Sequence, residues 1–193
     1  MSDSRKTALR TEIAARGKTL PTGYRIRASQ QICQTVLASQ VYQQAKTLFC
    51  FVGCMDEPDT KTILQAAWAD GKTVAVPRCQ SKGIMDGIRI DSFEELTPGA
   101  YGILEPSPQG VVVPPSSLDL CLVPCVSCSL DGKRLGHGAG YYDRYLATIR
   151  PYKMLLCYAR LISEEIPVDQ HDIPMDAIVT EEGMYLQGHA DVK

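Results

Sequence analysis

The sequence predicts an α/β fold in which helices cover both faces of a mainly parallel central sheet. Three observations predict it. The runs at 47–52, 118–123 and 153–158 are nearly continuous in apolar residues, the pattern of strands buried on both faces. Helical stretches separate these runs, and that alternation builds βαβ units. The chain has 193 residues, 45% apolar and 22% charged, which suits one domain with a sizeable core. We therefore expect a single domain over 1–193.

Each element follows in order. Good helix formers with a weak apolar stripe of Leu9, Ile13 and Leu20 predict a helix from about Ser4 to Gly17. Pro21 and Thr22 then punctuate, with Thr22 placed to cap a second helix that runs to about Ser39 and turns Ile32, Val36 and Leu37 inward. Thr47–Val52 reads as a buried strand closed by Gly53. Asp59 or Thr60 opens a helix through Ile63, Leu64 and Ala67 that stops at Gly71. Thr73–Val76 is the next strand, ended by Pro77. The stretch 82–115 is rich in Gly and Pro, with one short strand near Gly87–Ile90. Leu118–Val123 is a buried strand ended by Pro124, and a glycine-rich stretch leads from it into a helix of about Tyr141–Ile149. Lys153–Tyr158 is a fourth core strand, and Ala177–Val179 a last short one. No repeat, low-complexity segment or domain boundary interrupts the chain.

Composition narrows the function classes. Twenty basic against 22 acidic residues leave −2, which argues against a nucleic-acid footprint. The charge is uneven: residues 1–27 carry seven Lys/Arg against two acids, and residues 160–193 carry two against eight. A basic start and an acidic end can meet each other, or hold a polyanion and its metal between them. No run of 18 apolar residues is present, so no membrane span is expected. The opening residues lack an apolar signal core. Most of the eight cysteines fall within apolar runs and, without a secretion signal, read as small buried hydrophobes in a reducing cytoplasm. Cys121, Cys125 and Cys128 repeat the spacing of iron–sulfur enzymes that use S-adenosylmethionine. However, Cys121 lies inside an apolar strand, Ser127 stands where an aromatic residue precedes the last cysteine, and no fourth ligand is spaced for zinc. Core packing is the expectation for these, as for Cys50 and Cys54.

The segment Leu130–Arg144 is the richest in chemistry. Gly136, Gly138 and Gly140 alternate just before a helix begins. Glycines let a ligand approach the backbone closely, and a helix N-terminus offers free N–H groups and a positive dipole end. Together these suit a phosphate. Lys133 and Arg134 add charge, and His137 adds a donor. The pattern matches neither the dinucleotide fingerprint nor the Walker loop, so by itself it is equally a flexible loop. Its place after a core strand, where open α/β sheets bind ligands, favours the ligand. Asp143, one turn into the helix, suits Mg²⁺ beside phosphates or simply the helix dipole. Asp172 is either a second metal ligand from another loop or a solvated acid. Lys6 and Arg10 are four apart and share a helix face, which either grips a polyphosphate or is merely solvated. Past the end of strand 47–52, Glu57 can accept two N–H donors from a heterocycle, whereas Asp59 is a helix cap. Arg78 and Glu105 lie near strand ends and are weaker candidates.

The run Arg134–Arg144, Arg-Leu-Gly-His-Gly-Ala-Gly-Tyr-Tyr-Asp-Arg, resembles the signature of the 5-formyltetrahydrofolate cyclo-ligases, also called 5,10-methenyltetrahydrofolate synthetases. The similarity covers nearly the whole chain. The Lys6/Arg10 helix, Asp56–Thr60, Val76–Arg78, Gly102–Pro106 and Ile166–Asp172 follow in the family's order. The resemblance implies a Rossmann-like three-layer sandwich and an ATP- and Mg²⁺-dependent conversion of 5-formyltetrahydrofolate to 5,10-methenyltetrahydrofolate. In that reaction the formyl oxygen takes the γ-phosphoryl group, N10 then attacks the activated carbon, and phosphate leaves. The resemblance puts Lys6 and Arg10 on the ATP phosphates. Arg134, Leu135, Gly136, His137, Gly138, Ala139, Gly140, Tyr141 and Tyr142 would wrap ATP, and Asp143 and Asp172 would hold Mg²⁺. Val52 and Glu57 would receive the folate, with Arg78 and Glu105 beside them. Lys6, Tyr142 and Asp143 are the implied catalytic residues, Tyr142 lying between the two ligands. His137 and Ala139 stand where some members carry basic residues, leaving fewer cations for ATP. The implied protein is a cytoplasmic monomer acting on 5-formyltetrahydrofolate or its polyglutamates, with no nucleic acid or membrane partner. A non-catalytic folate or nucleotide sensor of the same fold is the alternative.

Overall fold

The computed structural model describes residues 2–54, 56–99, 103–147 and 150–187. Its main sheet is centred on β1 (Thr47–Cys50), with β2 (Thr73–Ser81) parallel on one side and β6 (Leu120–Val123) parallel on the other. Beyond β6 the parallel run continues through β9 (Tyr152–Leu156) and β10 (Ala177–Thr180). Antiparallel strands close both edges, β3 (Ile84–Arg89) beside β2 and β11 (Gly183–Leu186) beside β10, giving the order β11-β10-β9-β6-β1-β2-β3. Two small ribbons stand apart: β4 (Leu96–Pro98) with β5 (Leu104–Pro106), and β7 (Ser127–Cys128) with β8 (Arg134–Leu135).

The helices are α1 (Ser2–Lys18), α2 (Thr22–Ala38), α3 (Gln40–Gln44), α4 (Lys61–Ala69) and α5 (Tyr141–Ala147). Side chains alternate between the faces of a strand, and β1 shows which helix covers which face. Phe49 stacks on Tyr145 of α5 at 4.9 Å between ring centroids, while the next residue, Cys50, faces Cys33 of α2. Ile63, Leu64 and Ala67 of α4 are buried beside α2. The expected layering, helix–sheet–helix around a mainly parallel sheet, is therefore present. Leu48, Phe49, Leu120, Leu122, Met154 and Leu155 are fully buried at its centre.

Element boundaries differ from the sequence reading in instructive ways. Strand β2 runs on through Pro77, because its partner β1 pairs only as far as Ala75; beyond that point Pro77 faces β3 alone and needs no second donor. The strand expected over 47–52 ends its pairing at Cys50, and those expected from 118 and through 158 pair only over 120–123 and 152–156. Thr22 is not a cap: Pro21 holds that position, with no side-chain bond. Asp59 does act at the next helix start, its carboxylate accepting the Lys61 amide at 3.0 Å. The helix expected to reach Ile149 is seen to Ala147, and the remainder lies outside the described residues.

From β1 the chain crosses to β2 on one side, and later enters β6 on the other. The gap between the carboxyl ends of β1 and β6 is thus the switch point where open α/β sheets bind ligands.

Candidate active site

The segment after β1 is tightly built. A Cβ on Gly53 would lie 2.2 Å from the Pro58 carbonyl oxygen, so the backbone can fold back there only at glycine. Buried Thr60 fixes the same turn: its hydroxyl donates to the Phe51 carbonyl at 2.7 Å and accepts from the Gly53 amide at 3.3 Å. Glu57 is held by its backbone, its amide donating to the Cys54 carbonyl at 2.8 Å and its carbonyl accepting from the Tyr158 hydroxyl at 3.0 Å. Its carboxylate is only 9% exposed and accepts from the Cys54 amide at 3.3 Å. Val52, Gly53 and Glu57 line a cleft of about 580 Å³, completed by Arg25, Ile103, Leu104 and Tyr158. A carboxylate at the wall of such a cleft can receive paired N–H donors from a planar heterocycle.

The glycine-rich segment meets this cleft from the other side. It is not wholly loop, since Arg134 and Leu135 form the buried strand β8. Arg134 donates to Asp143 Oδ2 at 2.8 Å, and its guanidinium lies 5.5 Å from the centroid of the Tyr142 ring. The Tyr142 ring also meets Phe49 edge-on at 6.2 Å. Its hydroxyl is buried with no hydrogen-bond partner among the described residues, and burial pushes its pKa well above the ordinary tyrosine value. Arg10 reaches across from α1 and donates from Nε to the Gly136 carbonyl at 2.8 Å. Gly138, at φ +98°, lets that guanidinium pack against the loop, for a Cβ there would lie 3.2 Å from Arg10 Cζ. Arg144 ties the loop to the β2–β3 turn by donating to Ala139 at 2.5 Å and to Gly83 at 2.8 Å.

Two further contacts join the parts. His137 Nε2 lies 3.5 Å from Glu57 Oε1, which brings the glycine loop to the cleft wall. Lys6 Nζ lies 2.6 Å from Asp172 and 2.8 Å from Asp169. Burial lowers the Lys6 pKa, but the bonds to and charges of the two aspartates outweigh it and raise the pKa above 10.5.

Most of the sequence candidates are thus brought together. Arg10 and Asp143 meet the 134–142 segment directly, Glu57, beside Val52 in the cleft, adjoins its His137, and Lys6 meets Asp172. Arg78 and Glu105 are not among the described residues lining the cleft. Arg78, on β2, donates to the Pro106 carbonyl, and Glu105 packs beneath Gly99, so Arg78 holds and Glu105 forms part of the β4–β5 ribbon that brings Leu104 to the cleft. Sequence reasoning missed Asp169 and Arg144. Asp169 lies three residues before Asp172, inside the Ile166–Asp172 segment of the resemblance, and that was its only signal. Mg²⁺ takes oxygen ligands, commonly one or two carboxylates together with substrate phosphates. Asp143, paired with Arg134, and Asp172, paired with Lys6, are carboxylates of the kind such an ion takes.

Comparison with known proteins identifies the family of the chain. Residues 2–181 match the model of the 5-formyltetrahydrofolate cyclo-ligase family. The chain is 34% identical to the 5-formyltetrahydrofolate cyclo-ligase of Mus musculus, over 93% of this chain and 95% of that protein. It is 28% identical to a relative from Arabidopsis thaliana named as mitochondrial, over 93% of this chain and 75% of the relative. The solved structure of Aquifex aeolicus 5,10-methenyltetrahydrofolate synthetase superposes with a TM-score of 0.86 at 28% identity, covering 97% of this chain and 95% of that one.

Proposed function

Because the chain belongs to the 5-formyltetrahydrofolate cyclo-ligase family, a family of ligases, we propose that it converts 5-formyltetrahydrofolate to 5,10-methenyltetrahydrofolate while ATP becomes ADP and phosphate. One observation carries the reading beyond family membership. A phosphate-type glycine loop braced by Arg10 abuts, through His137 and Glu57, a cleft sized for a heterocycle.

The roles follow from the chemistry of each group. Glu57 accepts the N–H edge of the pterin, and Val52 packs on its ring; Arg78 and Glu105 support that side through the β4–β5 ribbon. Lys6 and Arg10 neutralise the phosphates, and the amides of Gly136, His137, Gly138, Ala139 and Gly140 donate to them, with Leu135, Tyr141 and Arg134 shaping the loop. To reach a phosphate, Lys6 exchanges one or both aspartates for it. Asp143 and Asp172 are the residues that hold Mg²⁺, which when bound neutralises charge on the phosphates. Tyr142, a phenol already protonated at neutral pH and made less acidic still by burial, serves as a donor between the ligands and not as a nucleophile. Phosphoryl transfer asks mainly for positioning and charge neutralisation, which this set supplies without a covalent enzyme intermediate.

No described helix is long and apolar enough to cross a membrane. The proposal takes the protein as a cytoplasmic monomer that acts on the folate or its polyglutamates. A coupled assay for ADP tests the reading. ADP formation that requires both 5-formyltetrahydrofolate and Mg²⁺ is expected; ADP formed equally without the folate would contradict it.

A further inference from the structure

Outside this site, three cysteines from separate segments converge. Cys125 follows β6, Cys128 lies on β7 and Cys157 follows β9. Their sulfur atoms all lie within 4.8 Å of one another, and all three residues are buried. The grouping is not the one suggested by spacing along the chain, because Cys121 stays in β6 and Cys157 takes the third place.

We propose that Cys125, Cys128 and Cys157 form a three-thiolate site for a soft monovalent cation, Cu(I). Three thiolates around one ion, with metal–sulfur bonds of about 2.3 Å, put the sulfurs ~4 Å apart, so the observed triangle needs only slight contraction. Thiolate ligands select Cu(I), zinc or iron–sulfur clusters. Structural zinc takes four ligands, and clusters commonly take four cysteines. Among the described residues no His, Asp or Glu joins this group, which leaves the three-coordinate ion.

The surroundings can receive it. The thiols of Cys125 and Cys157 contact backbone carbonyls, of Leu156 at 3.7 Å and Tyr158 at 3.4 Å, and the three thiols also hydrogen-bond among themselves; such weak thiol contacts are easily given up. Burial pushes the Cys125 thiol well above its ordinary value, and the Arg134 guanidinium opposes this only in small part, so it is the ion that must draw off the protons. Each ligating thiol releases its proton to solvent as it binds. Entry is through the β7–β8 ribbon, which pairs only two residues on each strand and is marginal alone. Cys128 pairs there with Arg134, the partner of Asp143. An ion on Cys128 therefore stiffens the strand that presents Arg134.

The test is anaerobic Cu(I) titration of the whole protein against a coloured Cu(I) chelator, with X-ray absorption of the loaded protein. One tightly held ion with three sulfur neighbours is expected, retained in a Cys54→Ser, Cys79→Ser double variant that lacks the exposed thiols. Cys128→Ala is expected to weaken retention at least 100-fold. Retention lost with the exposed cysteines, or unchanged in Cys128→Ala, would overturn the proposal. Should Cys128→Ala fail to fold, the absorption spectrum of the wild-type protein decides: two sulfur neighbours, or nitrogen and oxygen neighbours, would overturn it.

Discussion

Lys6 on α1 lies 2.6 Å from Asp172, 166 residues away, so one buried cation ties the start of the chain to the segment before β10. Asp169 takes the same ammonium at 2.8 Å. The bracket fixes α1, and it also competes with any phosphate for Lys6. Asp169→Asn removes one competitor while Asp172 still positions the amine. We expect KM for ATP to fall roughly 5-fold, the equivalent of about 1 kcal/mol, with kcat retained. Lys6→Met should instead raise KM and cut kcat at least ~100-fold. Steady-state kinetics in ATP decides, and a raised KM in Asp169→Asn would mean that Asp169 works with the phosphates and not against them.

The same bracket sets a pH dependence. The folded-state pKa of Lys6 is raised above 10.5, although burial opposes the rise. Its stabilisation is therefore complete below the unfolded lysine value, about 10.4, and lost as pH climbs through the folded value. Urea unfolding should show a constant gap between wild type and Lys6→Met from roughly pH 8 to 10, closing only above that range. A gap that closed near pH 7 would assign the effect to another group.

Arg134 is buried with Asp143 as its carboxylate partner at 2.8 Å. Asp143→Ala leaves that cation uncompensated and should destabilise the fold by about 3 kcal/mol while abolishing most turnover. Arg134→Met combined with Asp143→Leu should recover most of the stability and none of the activity. Parallel denaturation and rate measurements separate the two effects, and an active double variant would remove both residues from the site.

Two glycines offer a crossed test. Gly53→Ala collides with the Pro58 carbonyl and displaces the turn that carries Glu57, so KM for the formyl folate should rise about 10-fold with that for ATP kept. Gly138→Ala strains a position at φ +98° and pushes on Arg10, so the ATP KM should rise instead, by a similar ~10-fold factor. Equal effects of both variants on both substrates would mean that the two halves of the site are not separable.

How much of this was legible depended on length and on local pattern. Thr47–Cys50 and Leu120–Val123 announced themselves because a strand buried on both faces must be apolar throughout. The β7–β8 ribbon left no trace, since two-residue strands carry no period, and the loop reading of Arg134 and Leu135 followed from that. Pro77 looked like a stop because a sequence does not show where the neighbouring strand ends. Of the proposed site, Gly136, Gly138, Gly140 and Asp143 stood out by spacing. Lys6 and Arg10 had only a shared helix face, and the resemblance supplied the role proposed for them. The contact of Asp169 with Lys6 and the Cys125–Cys128–Cys157 triangle were invisible, because only the folded chain brings β9, the β7–β8 ribbon and the first helix to their partners.

The most direct measurement is the growth of methenyl absorbance when the purified protein meets 5-formyltetrahydrofolate and MgATP, with controls lacking ATP or containing EDTA. The account predicts a rise that needs both ATP and the metal. A flat trace from correctly folded protein under saturating ligands would contradict it.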